Sequence, residues 1–134
     1  MDSDLAHYYL QQLAPAERLT WLQEHPEQSE SLLWSLKENA AQYHHTDPQR
    51  AVEIAQVAQE AAHALHTPFL SAIAHWINAN ALLFLERHAE AERHFAEAAA
   101  VLRRDGHRRA LGQMLVGYVF TLAYLGRHEE AFAL

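Results

Sequence analysis

The heptapeptide Leu85-Glu-Arg-His-Ala-Glu-Ala91 returns as Leu125-Gly-Arg-His-Glu-Glu-Ala131, identical at five of seven positions and displaced by 40 residues. The same displacement relates Ala91 to Ala51 and Ala98 to Ala58. A fixed period in this range is the signature of stacked repeats, in which each unit cannot bury its apolar face alone and must lean on its neighbours. The repeat constrains the fold before any other property of the chain does. It also turns the functional question from chemistry towards binding.

The helices follow from the punctuation around this period. Pro15, Pro48 and Pro68 each suit a first helical turn, where a missing N–H costs nothing. Thr46 or Asp47 can cap the helix that starts at Pro48, and Thr67 the helix that starts at Pro68. Pro26 ends a short helix, and Ser29 or Ser31 can cap the next. Gly106 and Gly126 fall where a helix must stop and turn. The pattern predicts helices near 3–13, 15–25, 29–45, 48–65, 68–86, 89–104, 107–125 and from 128 onward, with no strand signal competing. Short connections make successive helices antiparallel: residues 68–105 form one hairpin, 107 onward begins the next, and 29–65 form a degenerate first one. Ala91, Phe95 and Ala98 share one helix face, as do Ala51, Ala55 and Ala58, so small residues let the helices approach closely.

The fragment Ala91-Glu-Arg-His-Phe95 matches the Ala-x-x-x-Phe signature of the tetratricopeptide (TPR) repeat. The turn Leu125-Gly-Arg-His-Glu-Glu-Ala131 resembles the Leu-Gly-x-Tyr-x-Glu-Ala junction between the two helices of such a repeat. His88 and His128 stand where that family often has tyrosine, and Glu86 where it often has glycine. Ala79 is the small residue expected at the helix crossing, and Val119 replaces it in the next copy. The resemblance covers roughly residues 47–134. It implies an all-α fold, a right-handed superhelix of antiparallel TPR-like hairpins with a period of about 40 residues. Residues 1–28 would be capping helices and 29–134 the repeat array, with Leu19, Trp21 and Leu22 covering the first hairpin.

A second likeness concerns the parent protein. Ala16-Glu-Arg-Leu-Thr-Trp-Leu-Gln-Glu-His-Pro26, then Thr46-Asp-Pro-Gln-Arg-Ala51 and long repeats, is similar to the N-terminal region of bacterial proteins that join TPR repeats to a CHAT domain. CHAT domains are caspase-like and use a His/Cys pair. With no cysteine here, any such site lies outside this chain. Large TPR-containing transcriptional regulators share similar long repeats. Leu134 falls about seven residues into the second helix of a hairpin, which is the expectation for a fragment of a longer protein, or for an open edge closed by a second copy.

In the TPR family the first helix of each hairpin lines the concave surface. By that register the partner-binding candidates are Ile73, Trp76, Asn80, Leu83 and Phe84 from one hairpin. Gln113, Val116, Phe120, Ala123 and Tyr124 come from the next. The strip is aromatic and aliphatic with two amides, and suits an amphipathic helix or an extended apolar segment. A carboxylate clamp is not expected, because Trp76 stands where a lysine is needed and Lys37, the only lysine, falls outside the strip. The partner is then a protein, a peptide or an effector domain of the same protein; the alternative is a homodimer through the open C-terminal edge.

Composition excludes other classes. The formal charge is −7 with histidines neutral, which argues against unaided binding to nucleic acid or an anionic membrane. Arg103, Arg104, Arg108 and Arg109 cluster locally; cations near a helix C-terminus favour its dipole, and the remainder are read as solvated. No apolar run approaches the roughly 20 residues of a membrane span, and no signal peptide is evident, so the cytoplasm is the expected location. No G-x-S-x-G, HExxH or Gly-rich phosphate loop occurs, so neither an enzyme nor a cofactor is expected within the chain. The 11 histidines would carry the charge from −7 to +4 if all were protonated. His44/His45 and His63/His66 lack the third and fourth ligands a zinc site requires. A histidine pH switch at a repeat interface is the remaining functional use.

Overall fold

The computed structural model describes residues 2–134, and among them no strand occurs. The helices are α1 (Asp2–His7), α2 (Pro15–Glu24), α3 (Ser29–Ala41), α4 (Pro48–Leu65), α5 (Pro68–Phe84), α6 (His88–Arg104), α7 (Arg108–Tyr124) and α8 (His128–Ala133). A π-helical turn, Tyr8–Gln12, extends α1, and a single 3-10 turn, Pro26–Gln28, precedes α3. Every expected helix is present. The third is shorter than expected: it ends at Ala41, and residues 42–46 form a chain of turns instead of the last helical turn.

The connections explain the repeat. His66, Glu86, Gly106 and Gly126 all adopt left-handed backbone, with φ of 52°, 61°, 75° and 78°. They stand 20 residues apart, one per helix. At the last three the hydrogen bonds are those of a Schellman motif, with Arg87 N–H bonded to Leu82 C=O at 2.9 Å, His107 to Leu102 at 2.9 Å and Arg127 to Leu122 at 2.8 Å. Each motif reverses the chain within three residues, so every helix from α6 onward folds back on the one before.

Capping is only partly as the sequence suggested. Asp47 Oδ1 accepts from Arg50 N–H at 3.2 Å and caps α4. Thr67 does not cap α5; its hydroxyl donates to Leu65 C=O at 3.2 Å. Ser29 lies inside α3 and donates to Pro26 C=O at 2.8 Å, so it closes the preceding turn rather than capping the helix. Glu17 reaches back to Ala14 N–H at 2.8 Å at the start of α2.

α5 is the axis of the molecule. Its Leu70, Ile73, Ala74, Ile77 and Ala81 pack into one core with α1–α4, while its Ala72, Trp76, Ala79 and Leu82 pack into a second with α6 and α7. A helix apolar all round is one covered all round. Ala51, Ala55 and Ala58 on α4 and Ala91, Phe95 and Ala98 on α6 are buried as their spacing predicted. Beyond neighbours in sequence, α3 touches α5 and α5 touches α7, so alternate helices share one layer. α1 packs on α3, where Ala6 N–H donates to the buried Ser35 hydroxyl at 2.8 Å. Trp21 and Leu22 on α2 are buried, whereas Leu19, expected beside them, stays half exposed. Arg18 ties the π-turn to α2 by donating to the carbonyls of Tyr9 and Leu10, each at 3.1 Å. Burial pushes the Tyr9 phenol up to about 12, with Arg18 opposing the shift.

No helix among the described residues is long and apolar enough to cross a membrane.

Candidate functional site: an apolar groove between α5 and α7

Five of the ten candidate strip residues converge on one groove. Leu83, Phe84, Val116, Phe120 and Tyr124, joined by Glu86, His88 and Gly117, line a space of about 460 Å³ between the C-terminal half of α5 and the outer face of α7. That volume falls within the range of sites able to hold a ligand or a few side chains. Val116, Phe120 and Tyr124 are 75%, 57% and 61% exposed, so the α7 wall is open to solvent. They recur at intervals of four residues and form one stripe.

The rims are built from rings. Phe84 is sandwiched by the turn that follows α3, with His44 stacked on it at 4.4 Å and His45 edge-on at 4.9 Å. Burial, then His45, then Lys37 hold the His44 imidazole below its usual pKa. On the opposite rim His88 stacks on Tyr124 at 3.8 Å, and Phe120 lies 6.3 Å from Tyr124. Both His88 ring nitrogens are buried and bond to no other described residue. Gly117 forms part of the floor. A β-carbon there would sit 2.9 Å from Phe95 Cζ, so the absence of a side chain lets α7 close onto the Phe95 ring. The same β-carbon would lie 3.6 Å from Asn80 Oδ1, which places the half-buried Asn80 amide beside the floor.

Ile73 and Trp76 do not belong to the open strip. They are 1% and 5% exposed and lie in the two cores flanking α5. The assumed register gave α5 one free face, but α3 and α7 cover it from both sides. Trp76 is closed off by Trp34, edge-on at 5.9 Å, and by Lys37, whose Nζ sits 4.2 Å over the indole. Lys37 is not among the residues lining the groove; its ammonium seals the α3–α5 seam over Trp76. Burial holds its amine below the ordinary lysine range.

Gln113 belongs to a different cleft, of about 770 Å³, together with Glu30, Trp34, Phe69, His107, Arg108 and Arg109 at the opposite end of α7. There Phe69 packs on Trp34 at 6.1 Å and on His107 at 4.2 Å. Arg108 and Arg109 stand in the first turn of α7. Of the basic cluster, only Arg103 and Arg104 occupy a helix C-terminus, where the dipole favours cations; at Arg108 and Arg109 it opposes them.

The fixed charges near the groove are mostly paired. Arg87 and Glu90 form a bidentate pair at 2.8 Å, and the equivalent Arg127 pairs with Glu130 and reaches Glu92 on α6 at 3.1 Å. Tyr118 also donates to Glu92, at 3.2 Å. Glu86 has no such partner among the described residues. In the sequence Glu86 stands out only as a departure from glycine. Its signal was there, since a charged residue held the position that the next copy of the heptapeptide gives to Gly126.

Elsewhere the histidines form pairs. His75 and His94 face each other across α5 and α6 with Nδ1···Nδ1 at 2.9 Å, and His63 and His66 lie 5.7 Å apart. Among the described residues no three potential metal ligands come together. In comparisons with known proteins, no family model, curated protein or solved structure matches the chain.

Proposed function

We propose that this chain is a protein–protein interaction module, a right-handed array of TPR-like hairpins whose α5–α7 groove receives an apolar segment of a partner or of an effector domain in the same protein. One observation carries this reading. Val116, Phe120 and Tyr124 stand exposed along a single stripe of α7 and face Leu83 and Phe84 across a defined cavity. Scattered surface apolar residues need no explanation, but a contiguous apolar concavity marks a contact surface. Support for the hairpin array comes from the left-handed residue every 20 positions and from the shared layer of α3, α5 and α7. The groove sits on that layer, and its helices hold the rings in place without a partner, so binding would cost little ordering.

Methyl-labelled protein titrated with amphipathic helical peptides tests the proposal. Shifts confined to Leu83, Val116 and their neighbours, lost in a Phe120→Ala, Tyr124→Ala variant, are expected. Shifts scattered over the surface, or unchanged binding by the variant, would overturn it. Both residues are exposed, so the variant should fold.

A further inference from the structure

We propose that the occupant of the α5–α7 groove is a basic apolar segment of a partner protein, and that the Glu86 carboxylate selects it by meeting its lysine or arginine. The inference rests on the interaction-module reading and adds the chemistry of the partner.

Glu86 is the single acidic residue lining the groove. The adjacent Arg87 is committed to Glu90, and its repeat equivalent Arg127 to Glu92 and Glu130, so among the described residues the Glu86 carboxylate has no cationic partner. The same groove is lined by Phe84, Phe120 and Tyr124, rings whose quadrupoles attract positive charge. Apolar walls with one acid at the rim complement a leucine-rich segment flanked by lysine or arginine, and repel one flanked by acids.

The backbone gives a second, independent observation. Glu86 sits in left-handed conformation at φ 61°, where the equivalent turns use Gly106 and Gly126. Histidine, as at His66, is among the side chains tolerated there more often, and glutamate is not. A strained residue lining a cavity points to a role for its side chain.

A second copy of this chain fits poorly. Each copy carries a formal −7, and the exposed Phe132 that could enter the groove follows Glu129 and Glu130 in α8, so like charges would meet Glu86.

The test uses the full chain and two helical peptides of about 16 residues, with leucines at i, i+3, i+4 and i+7. The two differ only in flanking lysines or flanking glutamates. Anisotropy titrations should give the lysine peptide an affinity at least about tenfold higher. Part of that preference reflects net charge, so Glu86→Gln is compared with Glu24→Gln, an equal change of charge on α2. Glu86→Gln should reduce the preference by about tenfold, and Glu24→Gln should leave it nearly unchanged. Equal loss in both variants, or a preference undiminished by Glu86→Gln, would overturn the role of Glu86 while leaving the groove intact. Preference for the glutamate peptide would do the same. If Phe120→Ala binds both peptides as the parent does, the groove assignment itself fails. Light scattering that shows a dimer dissociated by Phe120→Ala would make the second copy the occupant and overturn the proposal.

Discussion

Glu86, at φ 61°, and Gly126, at φ 78°, occupy the same place in two copies of one turn, 40 residues apart. Left-handed backbone costs a residue with a β-carbon about 1–2 kcal/mol, and glycine almost nothing. Glu86→Gly should therefore stabilise the chain by about 1 kcal/mol, raising Tm by about 4 °C. Urea denaturation alongside a thermal melt measures this. A variant less stable than the parent would mean that the side chain makes a contact outweighing the strain. If the variant gains stability and loses its preference for a basic peptide, one residue carries both the strain and the selectivity.

Trp76 and Phe120 were placed on the same strip by the repeat register, and the structure separates them. Trp76 is buried between Trp34, Lys37 and the second core, so Trp76→Ala should cost about 3–5 kcal/mol. Phe120 is exposed, and Phe120→Ala should change stability by about 0.5 kcal/mol or less. Denaturant midpoints of the two variants decide this directly. Similar losses would place Phe120 in the core and close the groove.

The difference between these residues shows what the sequence could and could not reveal. Ala51, Ala55, Ala58, Ala91, Phe95 and Ala98 were legible because α4 and α6 each carry a narrow stripe of small residues against a polar remainder. α5 offers no such contrast: its apolar residues run all round, so periodicity cannot say which face meets α3, which meets α7 and which is free. The groove itself was legible through Leu83, Phe84, Val116, Phe120 and Tyr124, since the 40-residue register aligned them. Its histidine rim was not. His44 and His45 reach Phe84 from a turn that the sequence assigned to helix, and no local pattern announces a contact made across 40 positions. Gln113 left the group because it lies nearly a turn before Val116, beside Arg109 in the other cleft.

Gly117 sets two effects against each other. Alanine would raise helix propensity by about 1 kcal/mol. Its β-carbon would also press to 2.9 Å from the Phe95 ring, which is fully buried and stacked on Tyr118 at 5.6 Å. Overpacking of this kind costs about 1–3 kcal/mol, so Gly117→Ala should be destabilising on balance. The loss should vanish when Phe95 is shortened to leucine in the same chain, and a double-mutant cycle reads that coupling. A stabilised Gly117→Ala single variant would show that the ring moves aside freely.

The His75–His94 pair makes the α5–α6 interface sensitive to acid. At 2.9 Å between Nδ1 atoms one ring donates and the other accepts, an arrangement that needs at least one uncharged imidazole. Burial holds both rings below 6.5; for His94 the neighbouring His75 and Arg93 push the same way. Glu97 opposes the shift at both rings, and Glu90 opposes it at His94. A depressed histidine binds its proton more readily in the unfolded chain, so stability is full above pH 6.5 and is lost as pH falls towards the folded values. His44, also depressed by burial, adds to the same trend. Tm should therefore drop between about pH 7.5 and pH 5, and a His75→Asn, His94→Gln variant, which keeps polar side chains but cannot titrate, should lose part of that drop. Equal pH dependence in variant and parent would remove this pair from the acid response and leave His44 to account for it.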